Sequence, residues 1–351
     1  MVKKNKVKKF EYIILILAVF LIVVLFLGFS FGNKINEGWE EIKKSPACVE
    51  LDQNYFNRLN TDLVISRSAG CVRIMEDINF DHSIILRDGS QGFYLTCDNH
   101  TIIGSSEDVW KIAFELYDHT SVTNCNVRVA RGGFLLYNSS KVLNSEADLI
   151  KDGFQIHDNA LVSSSLSKNC RGIGLELFGG NPSVYNSISI NCTVGVLLAD
   201  YSSGYNIRTY NNTNIGFNLR GHGSCENCYS DGNRNSGYHL TENSKISNSQ
   251  ALNNGAYGIL LDNNASAENI LSDNNINGVF VSSGARLLTG YRVCYNERSN
   301  IYSDGGYIEG VYRSTNIEGN GNFQNATILP CATGVGSPIF LKARSREIGD
   351  Q

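Results

Sequence analysis

The chain contains little proline, little tryptophan and little charge for its length. Its 351 residues include 4 Pro and 2 Trp, and only 18% of them are Asp, Glu, Lys or Arg. Together with 34 Gly, this composition argues against a helix-rich fold. Hydrophobic residues still make up 42% of the chain, enough to bury a large core and to exclude global disorder.

A basic surface that could attract nucleic acid is also missing. The formal net charge is -4, and residues 1–11 carry five Lys and one Glu, so the rest of the chain is more acidic than the total suggests. Such a body does not attract a phosphate backbone, and the sequence contains no basic-aromatic nucleic-acid motif. Nucleic acid is therefore not expected as a partner.

The first segment has the pattern of a membrane anchor. Residues 1–9 form a basic tail, and within residues 10–32 the stretch Tyr12 to Phe31 has no charged residue. A helix of this length, at about 1.5 Å per residue, spans the bilayer hydrocarbon. A cleaved signal peptide is the alternative, but its apolar core is normally shorter and no Ala-x-Ala site follows. The positive-inside rule then predicts a cytoplasmic N-terminus and an extracytoplasmic body.

Internal repetition is the strongest signal in the sequence. A tetrapeptide of the form Gly-apolar-x-apolar recurs every 20 or 21 residues, with Ala in place of Gly once. The repeats begin at Gly92, Ala113, Gly133, Gly153, Gly174, Gly195, Gly216, Gly237, Gly258 and Gly278. Alternating apolar positions predict a strand with one buried face. The apolar runs are too short for helices, and the leucine-rich-repeat pattern Leu-x-x-Leu-x-Leu-x-x-Asn is absent.

The spacing predicts an all-β, parallel β-solenoid of about ten to twelve coils stacked at the strand spacing of about 4.8 Å. Equivalent residues of successive repeats should then lie above one another. A recurring Asn series is expected to form a hydrogen-bonded ladder between coils. Its members are Asn124, Asn144, Ser164, Asn186, Asn206, Asn227, Asn248, Asn269 and Thr289.

These repeats, headed by Thr96-Cys97-Asp98-Asn99-His100-Thr101-Ile102-Ile103-Gly104, resemble the right-handed parallel β-helix repeat proteins of the pectin-lyase-like superfamily. They are most similar to the membrane-tethered surface type and to the β-helix protein of nitrous-oxide-reductase maturation. The resemblance implies a right-handed coil and a function related to carbohydrate. A scaffold of this kind hosts many functions, so the function must be argued from a site.

The outward strand face offers a candidate binding surface. If the second and fourth residues of each tetrapeptide point inward, the third and fifth point outward, and a row of cations lies just before them. The candidate substrate-binding residues are Lys111, Glu115, Tyr117, Arg131, Tyr137, Lys151, His157, Arg171 and Glu176. Aromatic planes, carboxylates and stacked cations suit an extended acidic polysaccharide. The alternative is a solvated face whose cations are neutralised by Glu115, Asp152 and Glu176.

Evidence for catalysis is weaker. Glu115 and Glu176 should lie three coils, or about 14 Å, apart, too far for the two carboxylates of a glycosidase. Asp200 and the segment Gly221-His222-Gly223 are similar to part of the polygalacturonase signature, which makes Asp200 and His222 weak catalytic candidates. Tyr201 stands where a second Asp is needed, and no suitable Arg-x-Lys pair follows. The same residue types also favour ordinary turns.

The cysteines predict disulfides more readily than a metal site. Ten Cys in an exported body permit disulfides, and Cys170 and Cys192 lie at matching points of adjacent coils. His222, Cys225 and Cys228 lack a fourth ligand for structural zinc, and Cys225 is interpreted as a buried thiol. With 2 Met and 6 His, copper handling is not favoured. No metal or cofactor is predicted.

The sequence as a whole predicts a membrane-anchored extracytoplasmic β-helix that binds or presents glycan. Residues 33–70 are assigned as tether and N-terminal cap, 71–310 as the repeats, and 311–351 as C-terminal cap and tail. A polysaccharide lyase, hydrolase or epimerase and a structural cell-surface spacer are the alternatives, and enzymatic activity is left open. The sequence does not indicate an oligomeric state.

Overall fold

The computed structural model describes residues 48–66, 70–87, 93–105, 111–314 and 316–331. The predicted transmembrane helix, residues 10–32, lies outside these ranges. Within them, no helix has the length and hydrophobicity needed to cross a bilayer. Apart from the four-residue helix α1, the elements are short strands separated by turns.

The elements follow one another along the chain in a regular succession. They are β1 (Val49–Leu51), α1 (Gln53–Phe56), β2 (Leu63–Ser66), β3 (Cys71–Ile74), β4 (Ile78–Asn79), β5 (Ile84–Arg87), β6 (Tyr94–Thr96), β7 (Thr101–Ile103), β8 (Ile112–Leu116), β9 (Ser121–Thr123), β10 (Asn126–Leu136), β11 (Lys141–Leu143), β12 (Glu146–His157), β13 (Leu161–Ser163), β14 (Leu166–Lys168), β15 (Ile173–Phe178), β16 (Ser183–Tyr185), β17 (Ile188–Ile190), β18 (Val194–Leu198), β19 (Ser203–Tyr205), β20 (Arg208–Tyr210), β21 (Phe217–Leu219), β22 (Ser224–Glu226), β23 (Tyr229–Asp231), β24 (Tyr238–Leu240), β25 (Lys245–Ser247), β26 (Gln250–Leu252), β27 (Tyr257–Leu261), β28 (Ser266–Asp273), β29 (Asn277–Ser282), β30 (Arg286–Cys294), β31 (Ser299–Asp304), β32 (Tyr307–Arg313), β33 (Ile317–Gly319) and β34 (Asn322–Leu329).

The strands form three parallel sheets, and each coil of the chain contributes to all three in the order A, B, C. Sheet A contains β2, β5, β8, the second halves of β10 and β12, and β15, β18, β21, β24, β27, β29, β31 and β33. Sheet B contains β1, β3, β6, β9, β11, β13, β16, β19, β22, β25 and the first parts of β28, β30, β32 and β34. Sheet C contains β4, β7, β14, β17, β20, β23, β26 and the remaining parts of the longer strands.

The predicted parallel β-solenoid is confirmed, with about 12 turns and a period near 21 residues. Phe154 pairs with Leu175, and Leu175 pairs with Val196, so residues 21 apart are vertical neighbours. Paired strands also occur in residues 49–66 and 316–329, on both sides of the predicted repeat range.

The described part of the first predicted repeat is out of register with the others. Tyr94 and Leu95 pair with Ser121 and Val122 in sheet B, not with the strand that contains Glu115. The neighbour of Glu115 on that side is Ile85, thirty residues earlier, against 20 or 21 residues between sheet A partners from Glu115 to His239.

The interior of the solenoid is filled by columns of like side chains. Phe114, Phe134 and Phe154 are fully buried, and their rings stack with centroid distances of 5.2 and 4.8 Å. Phe217 and Tyr238 form a second such stack at 4.8 Å. Removing these side chains from water is the main source of stability in a fold whose every coil contacts only its neighbours.

The predicted Asn series bonds between coils at two steps. Asn206 Nδ2 donates to Asn186 Oδ1 and Asn269 Nδ2 donates to Asn248 Oδ1, from left-handed residues in the turn after sheet B. A longer, buried ladder that was not predicted occupies the corner between sheets C and A. Its members are Asn212, Asn233, Asn254, Asn275 and Asn296, and each amide nitrogen donates to the next side-chain oxygen or, at the end, to Asn300.

Candidate functional site

The predicted outward positions of sheet A form continuous columns. Glu115, Leu135, Gln155 and Glu176 are consecutive partners in adjacent strands, followed by Leu197. Glu115 and Glu176 are therefore three coils apart, as expected, and about 14 Å at the usual strand spacing separates them. Leu197 is buried, unlike its neighbours in the column, so the outward face does not continue unchanged along the whole sheet.

Tyr117, Tyr137, His157 and Phe178 form an aromatic column beside the carboxylates. Successive ring centroids are 5.2, 4.8 and 5.7 Å apart and the rings are nearly parallel. Because the ring faces cover one another, the column presents ring edges to solvent, which corrects the expectation of exposed aromatic planes. The guanidinium groups of Arg87 and Arg220 lie 5.2 and 5.9 Å from the Tyr117 and Phe178 centroids at the two ends.

Partial burial sets the protonation of this column. Burial raises the pKa of Tyr117, and the nearby Glu115 carboxylate, which accepts a hydrogen bond from the Tyr117 hydroxyl at 3.2 Å, adds to the effect. The pKa of Tyr137 is raised for the same two reasons. Burial lowers the pKa of His157 although Asp158 opposes the shift, so His157 is neutral at pH 7.

The predicted cation row follows the edge of sheet A in successive coils. Backbone hydrogen bonds link the coil positions of Lys111, Arg131, Lys151 and Arg171. Lys151 Nζ lies 3.7 Å from Asp152 Oδ2, as expected if carboxylates of the protein neutralise the cations. Lys111 Nζ instead pairs at 2.9 Å with Asp62, an acceptor that the sequence did not indicate.

A cleft of about 190 Å³ opens in this edge of the sheet, between the cation row and the carboxylate column. Gly132 lies between Ile112 and Asp152 in the strand register, and all three residues line the cleft. Arg131 and Gln155 complete the walls. The cleft therefore joins a cation, a carboxylate and an amide around an apolar floor.

The corner between sheets C and A beside the cleft has an unusual left-handed residue. After sheet C the chain turns through Val129 or Leu149 and reaches the tetrapeptide four residues later. In later coils the same turn takes four or five residues, and its left-handed residue is most often Asn. A β-branched residue such as Val129, with φ of 57°, is strained in this conformation. Arg131 and Lys151 follow these left-handed residues by two positions.

Glu176 is the most perturbed carboxyl of the predicted set. Burial raises its pKa and Asp152 adds to the shift, while the hydrogen bond from Gln155 and the charges of Arg220 and Lys151 oppose it. Gln155 Nε2 donates to Glu176 Oε2 at 2.9 Å. A partly buried carboxyl with a raised pKa is the kind of group that exchanges protons in active sites.

Asp200 and His222 lie in the turn between sheets A and B in adjacent coils. Asp200 and Tyr201 both take left-handed backbone, and so do Gly221 and His222. The exposed His222 ring stacks on Tyr201 with centroids 4.6 Å apart. Asp118 and Asn138 occupy the same turn in earlier coils with the same conformation. The geometry is that of a repeated tight turn, which the residue types favour.

The sequence analysis missed a second polar pair on sheet A. His239 Nε2 lies 3.3 Å from Asp262 Oδ2, and both side chains are partly exposed. His239 occupies the third position of one coil and Asp262 the fifth position of the next, so the pair spans two coils diagonally. Comparing positions across coils, rather than down single columns, would have revealed it.

The cysteines form disulfides, and none of the ten is free. The predicted Cys170 to Cys192 bond is present, with Cα atoms 4.4 Å apart. Cys225 bonds to Cys228, so the interpretation of Cys225 as a buried thiol was wrong. Neither sulfur of the His222, Cys225, Cys228 set remains as a metal ligand. Cys97 to Cys125 and Cys294 to Cys331 are further bonds.

Comparison with known proteins gives matches only among solved structures. No protein-family model matches the chain, and no curated protein does. A double mutant of the periplasmic alginate epimerase AlgG is 11% identical, with a TM-score of 0.48 over 80% of this chain and 84% of that one. The A-module of the mannuronan C-5 epimerase AlgE4 of Azotobacter vinelandii is 12% identical, with a TM-score of 0.38 over 76% and 91%.

Endopolygalacturonase I of Stereum purpureum is 12% identical, with a TM-score of 0.25 over 81% of this chain and 97% of that one. These three are pectin-lyase-like right-handed parallel β-helix proteins, the class that the repeats resemble. The parallel β-solenoid of the present chain is established by its own strand register.

Proposed function

We propose that this protein is a membrane-anchored, extracytoplasmic right-handed β-helix that binds an acidic polysaccharide along the outward side of sheet A. The observation that carries the proposal is the cleft at Gly132, which opens beside the cation row. Arg131 forms part of its wall and Lys151 precedes Asp152 at its edge. A concave, partly apolar site with a few converging polar groups is the usual form of a ligand site.

The geometry suits a linear chain of charged sugars. Coils repeat every 4.8 Å or so, about the length of one sugar unit in an extended polysaccharide, so each unit would meet a new coil. Cations recur in four successive coils, from Lys111 to Arg171. Guanidinium groups bind carboxylate and sulfate oxygens through paired hydrogen bonds. Gln155 and the Tyr137 hydroxyl supply neutral contacts beside the row.

The binding test removes the cations at the cleft. Arg131→Ala with Lys151→Ala should abolish retention of the full-length protein, in detergent, on polyuronate or sulfated-glycan gels at low salt. The matched control, Lys141→Ala with Lys245→Ala, removes the same charge from sheet B and should leave retention unchanged. Gly132→Ala tests the cleft without changing charge, since the added Cβ would lie 3.1 Å from Ile112 Cγ1 and displace this lining side chain. Unchanged retention of the first variant would overturn the proposal.

A polysaccharide-modifying enzyme is the second candidate. The partly buried Glu176, with its raised pKa, lies one coil from the Gln155 wall of the cleft and favours this reading. Turnover of a polyuronate by the wild-type protein that is lost in Glu176→Gln, with retention on the gel preserved, would establish a lyase, epimerase or hydrolase. Retention without turnover supports binding alone, and the absence of both supports a structural spacer.

The anchor is proposed from residues 10–32 and their basic flank. The disulfides of the solenoid support an oxidising, extracytoplasmic compartment for the body. The protein should remain in the membrane pellet after alkaline carbonate extraction, and the solenoid should be cleaved by protease added outside intact cells. Recovery in the carbonate supernatant would contradict the anchor without affecting the sheet A proposal.

A further inference from the structure

Sheet B carries an uncharged surface that differs in chemistry from sheet A. In adjacent coils, Tyr185 pairs with Tyr205, and both side chains point outward with 40% and 42% exposure. A row of hydroxyls runs beside them, formed by Ser183, Ser203 and Ser224. We call these five residues the Tyr-Ser surface.

The rings of the Tyr-Ser surface are arranged to accept a ligand. Tyr185 and Tyr205 are tilted by 47° with centroids 6.5 Å apart, so they do not cover each other face to face. In the aromatic column of sheet A, by contrast, Tyr117 and Tyr137 are nearly parallel at 5.2 Å and each covers a face of the other. Sheet B therefore leaves aromatic faces available at a flat surface.

Hydrogen-bonding groups border the rings on the opposite side from the serines. Asn186 and Asn206 follow the two tyrosines in the next turn, and Asn206 Nδ2 donates to Asn186 Oδ1 at 2.8 Å. The Asn186 side chain is exposed, and its own amide hydrogens remain for a ligand. A ligand lying on the rings would thus meet hydroxyls on one side and amides on the other.

The charge distribution selects the class of ligand. Glu226 pairs with Tyr205 and Lys245 pairs with Ser224, so one charge of each sign borders the surface on one side. On the other side the nearest charge in sheet B is Lys141, two coils before Ser183. The five residues of the surface carry no charge, and the bordering charges are of opposite sign, so neither a polyanion nor a polycation is favoured. Two rings and a hydroxyl row also cover much less than the roughly 800 Å² that a standard protein interface buries on each partner.

We propose that the Tyr-Ser surface binds a neutral polysaccharide, with pyranose rings lying on Tyr185 and Tyr205 and sugar hydroxyls bonded to the serine row and Asn186. Sugar rings expose C–H groups on their faces, and these contact an aromatic face while the equatorial hydroxyls bond to polar neighbours. This site is separate from sheet A, so it does not rest on the acidic-polysaccharide proposal.

The test is affinity electrophoresis of the full-length protein, in detergent, through gels containing a soluble β-glucan, a galactomannan or polygalacturonate. We expect retardation by at least one neutral polysaccharide, unchanged between low and high salt because no ion pair is involved. Tyr185→Ala with Tyr205→Ala should weaken this retardation at least about tenfold, consistent with loss of two aromatic contacts.

Controls separate this surface from the others. Tyr307→Ala removes a tyrosine of similar exposure, 43%, from a later coil of sheet B and should have no effect. Arg131→Ala with Lys151→Ala should leave neutral-glycan binding intact, whatever it does to polygalacturonate. Thermal melting of each variant reports on folding, and Tyr205→Phe, which keeps the ring, should retain most of the binding.

Three results would overturn the proposal. These are no retardation of the wild-type protein by any neutral polysaccharide, full retardation of the folded double variant, or loss of retardation on removing the sheet A cations. Capture of a protein that depends on Tyr185 and Tyr205, without glycan binding, would assign the surface to a protein partner and equally contradict a glycan site.

Discussion

The corner between sheets C and A is built differently in the early and late coils. In the early coils the residue after the left-handed position is Ala130 or Ile150, and the corner is closed by apolar packing. In the late coils that residue is a buried Asn whose amide bonds to the next coil, from Asn212 to Asn296. Between them the same column holds the Cys170 to Cys192 disulfide.

The corner between sheets C and A is therefore joined from coil to coil in three ways: by apolar packing, by a disulfide or by Asn hydrogen bonds. The corner must fix each coil to the next while burying backbone groups, and Asn does so by accepting from backbone N–H as well as from the neighbouring amide. At the apolar corners the left-handed residues are Val129 and Leu149, and the cleft opens beside them. The Asn corners join the late coils through hydrogen bonds, and the candidate site lies at the apolar corners.

Breaking the late corner should have the largest effect. Asn254 Oδ1 accepts from Asn233 N at 3.2 Å and from Asn233 Nδ2 at 2.9 Å, and Asn254 Nδ2 donates to Asn275 Oδ1 at 2.9 Å. Asn254→Ala leaves the buried Asn233 N unpaired, at a cost of about 1–3 kcal/mol. Asn233 Nδ2 keeps its bond to Ser230 Oγ and Asn275 Oδ1 keeps its bond from residue 254 N, so each of these groups loses one of its bonds. We expect the free energy of unfolding in urea to fall by about 2–4 kcal/mol.

The exposed Asn column provides the matched control. Asn248 Nδ2 donates to Glu226 Oε1 at 3.2 Å from a left-handed residue that Gly can replace without strain. Asn248→Gly should reduce the free energy of unfolding by less than about 1 kcal/mol, because water replaces the lost partner. Equal losses for the two variants would mean that burial of the ladder contributes nothing.

Replacing the Cys170 to Cys192 disulfide tests whether apolar residues or Asn can take its place in the corner. Cys170→Ala with Cys192→Ala opens a disulfide loop of sequence separation 22 and should lower the free energy of unfolding by about 3 kcal/mol. Cys170→Asn with Cys192→Asn should lose less, because Cys192 N already donates to Asn212 Oδ1 and the new amides extend the ladder. Urea unfolding under non-reducing conditions measures both.

An Asn pair that is less stable than the Ala pair would contradict this extension. In that case the ladder would depend on features of the late coils beyond the column itself, such as Ser230, which accepts a bond from Asn233 Nδ2 at 2.8 Å.

The repeat made the solenoid and its register predictable, because the period of the apolar positions is the period of the coils. Phe154, Leu175 and Val196 align as their spacing indicates. Every position of a coil repeats with the same period, however, so periodicity alone does not distinguish an inward column from an outward one. This is why the series of Asn186 and Asn206 was predicted to form a ladder, and the buried ladder that repeats with the same period was not. The predicted register of the first repeat was wrong for Tyr94 and Leu95 because the early coils vary in length.

The candidate site was predictable as a set of residues but not as a cavity. Lys111, Arg131 and Lys151 follow from the repeat, and the structure places them in successive coils. The cleft is lined by Gly132 and by its neighbours Ile112 and Asp152 in the two adjacent coils, and the sequence of one coil does not indicate such a cavity. The pairing of Lys111 with Asp62 joins residues 49 apart across irregular coils, so no spacing rule indicates it.

The outward side of sheet A also changes along the solenoid, and its pH dependence gives the smallest expected effect. Glu176, in the strand that follows the Cys170 corner, lies in the column that later carries Asn218 and His239. The pKa of Glu176 is raised in the folded state by burial and by Asp152, so ionisation favours the unfolded chain. This cost appears as pH rises from the ordinary value of 4.5 through the raised one. Glu176→Gln should raise Tm at pH 7 and lose this gain below pH 4.5.

Asp62, which directly precedes β2 at the start of sheet A, gives a pH dependence of the opposite sign. Burial opposes the shift, but hydrogen bonds from Lys111 and from Ser83 N hold the pKa of Asp62 below its ordinary value. Its ionised form therefore stabilises the folded state above the ordinary pKa, and this contribution is lost as pH falls through the lowered value. Asp62→Asn should lower Tm at pH 7, and the difference from wild type should disappear in acid. Tm shifts of the same sign for the two variants at pH 7 would show that burial at Glu176 does not penalise its charge, and would remove the pH argument for that residue.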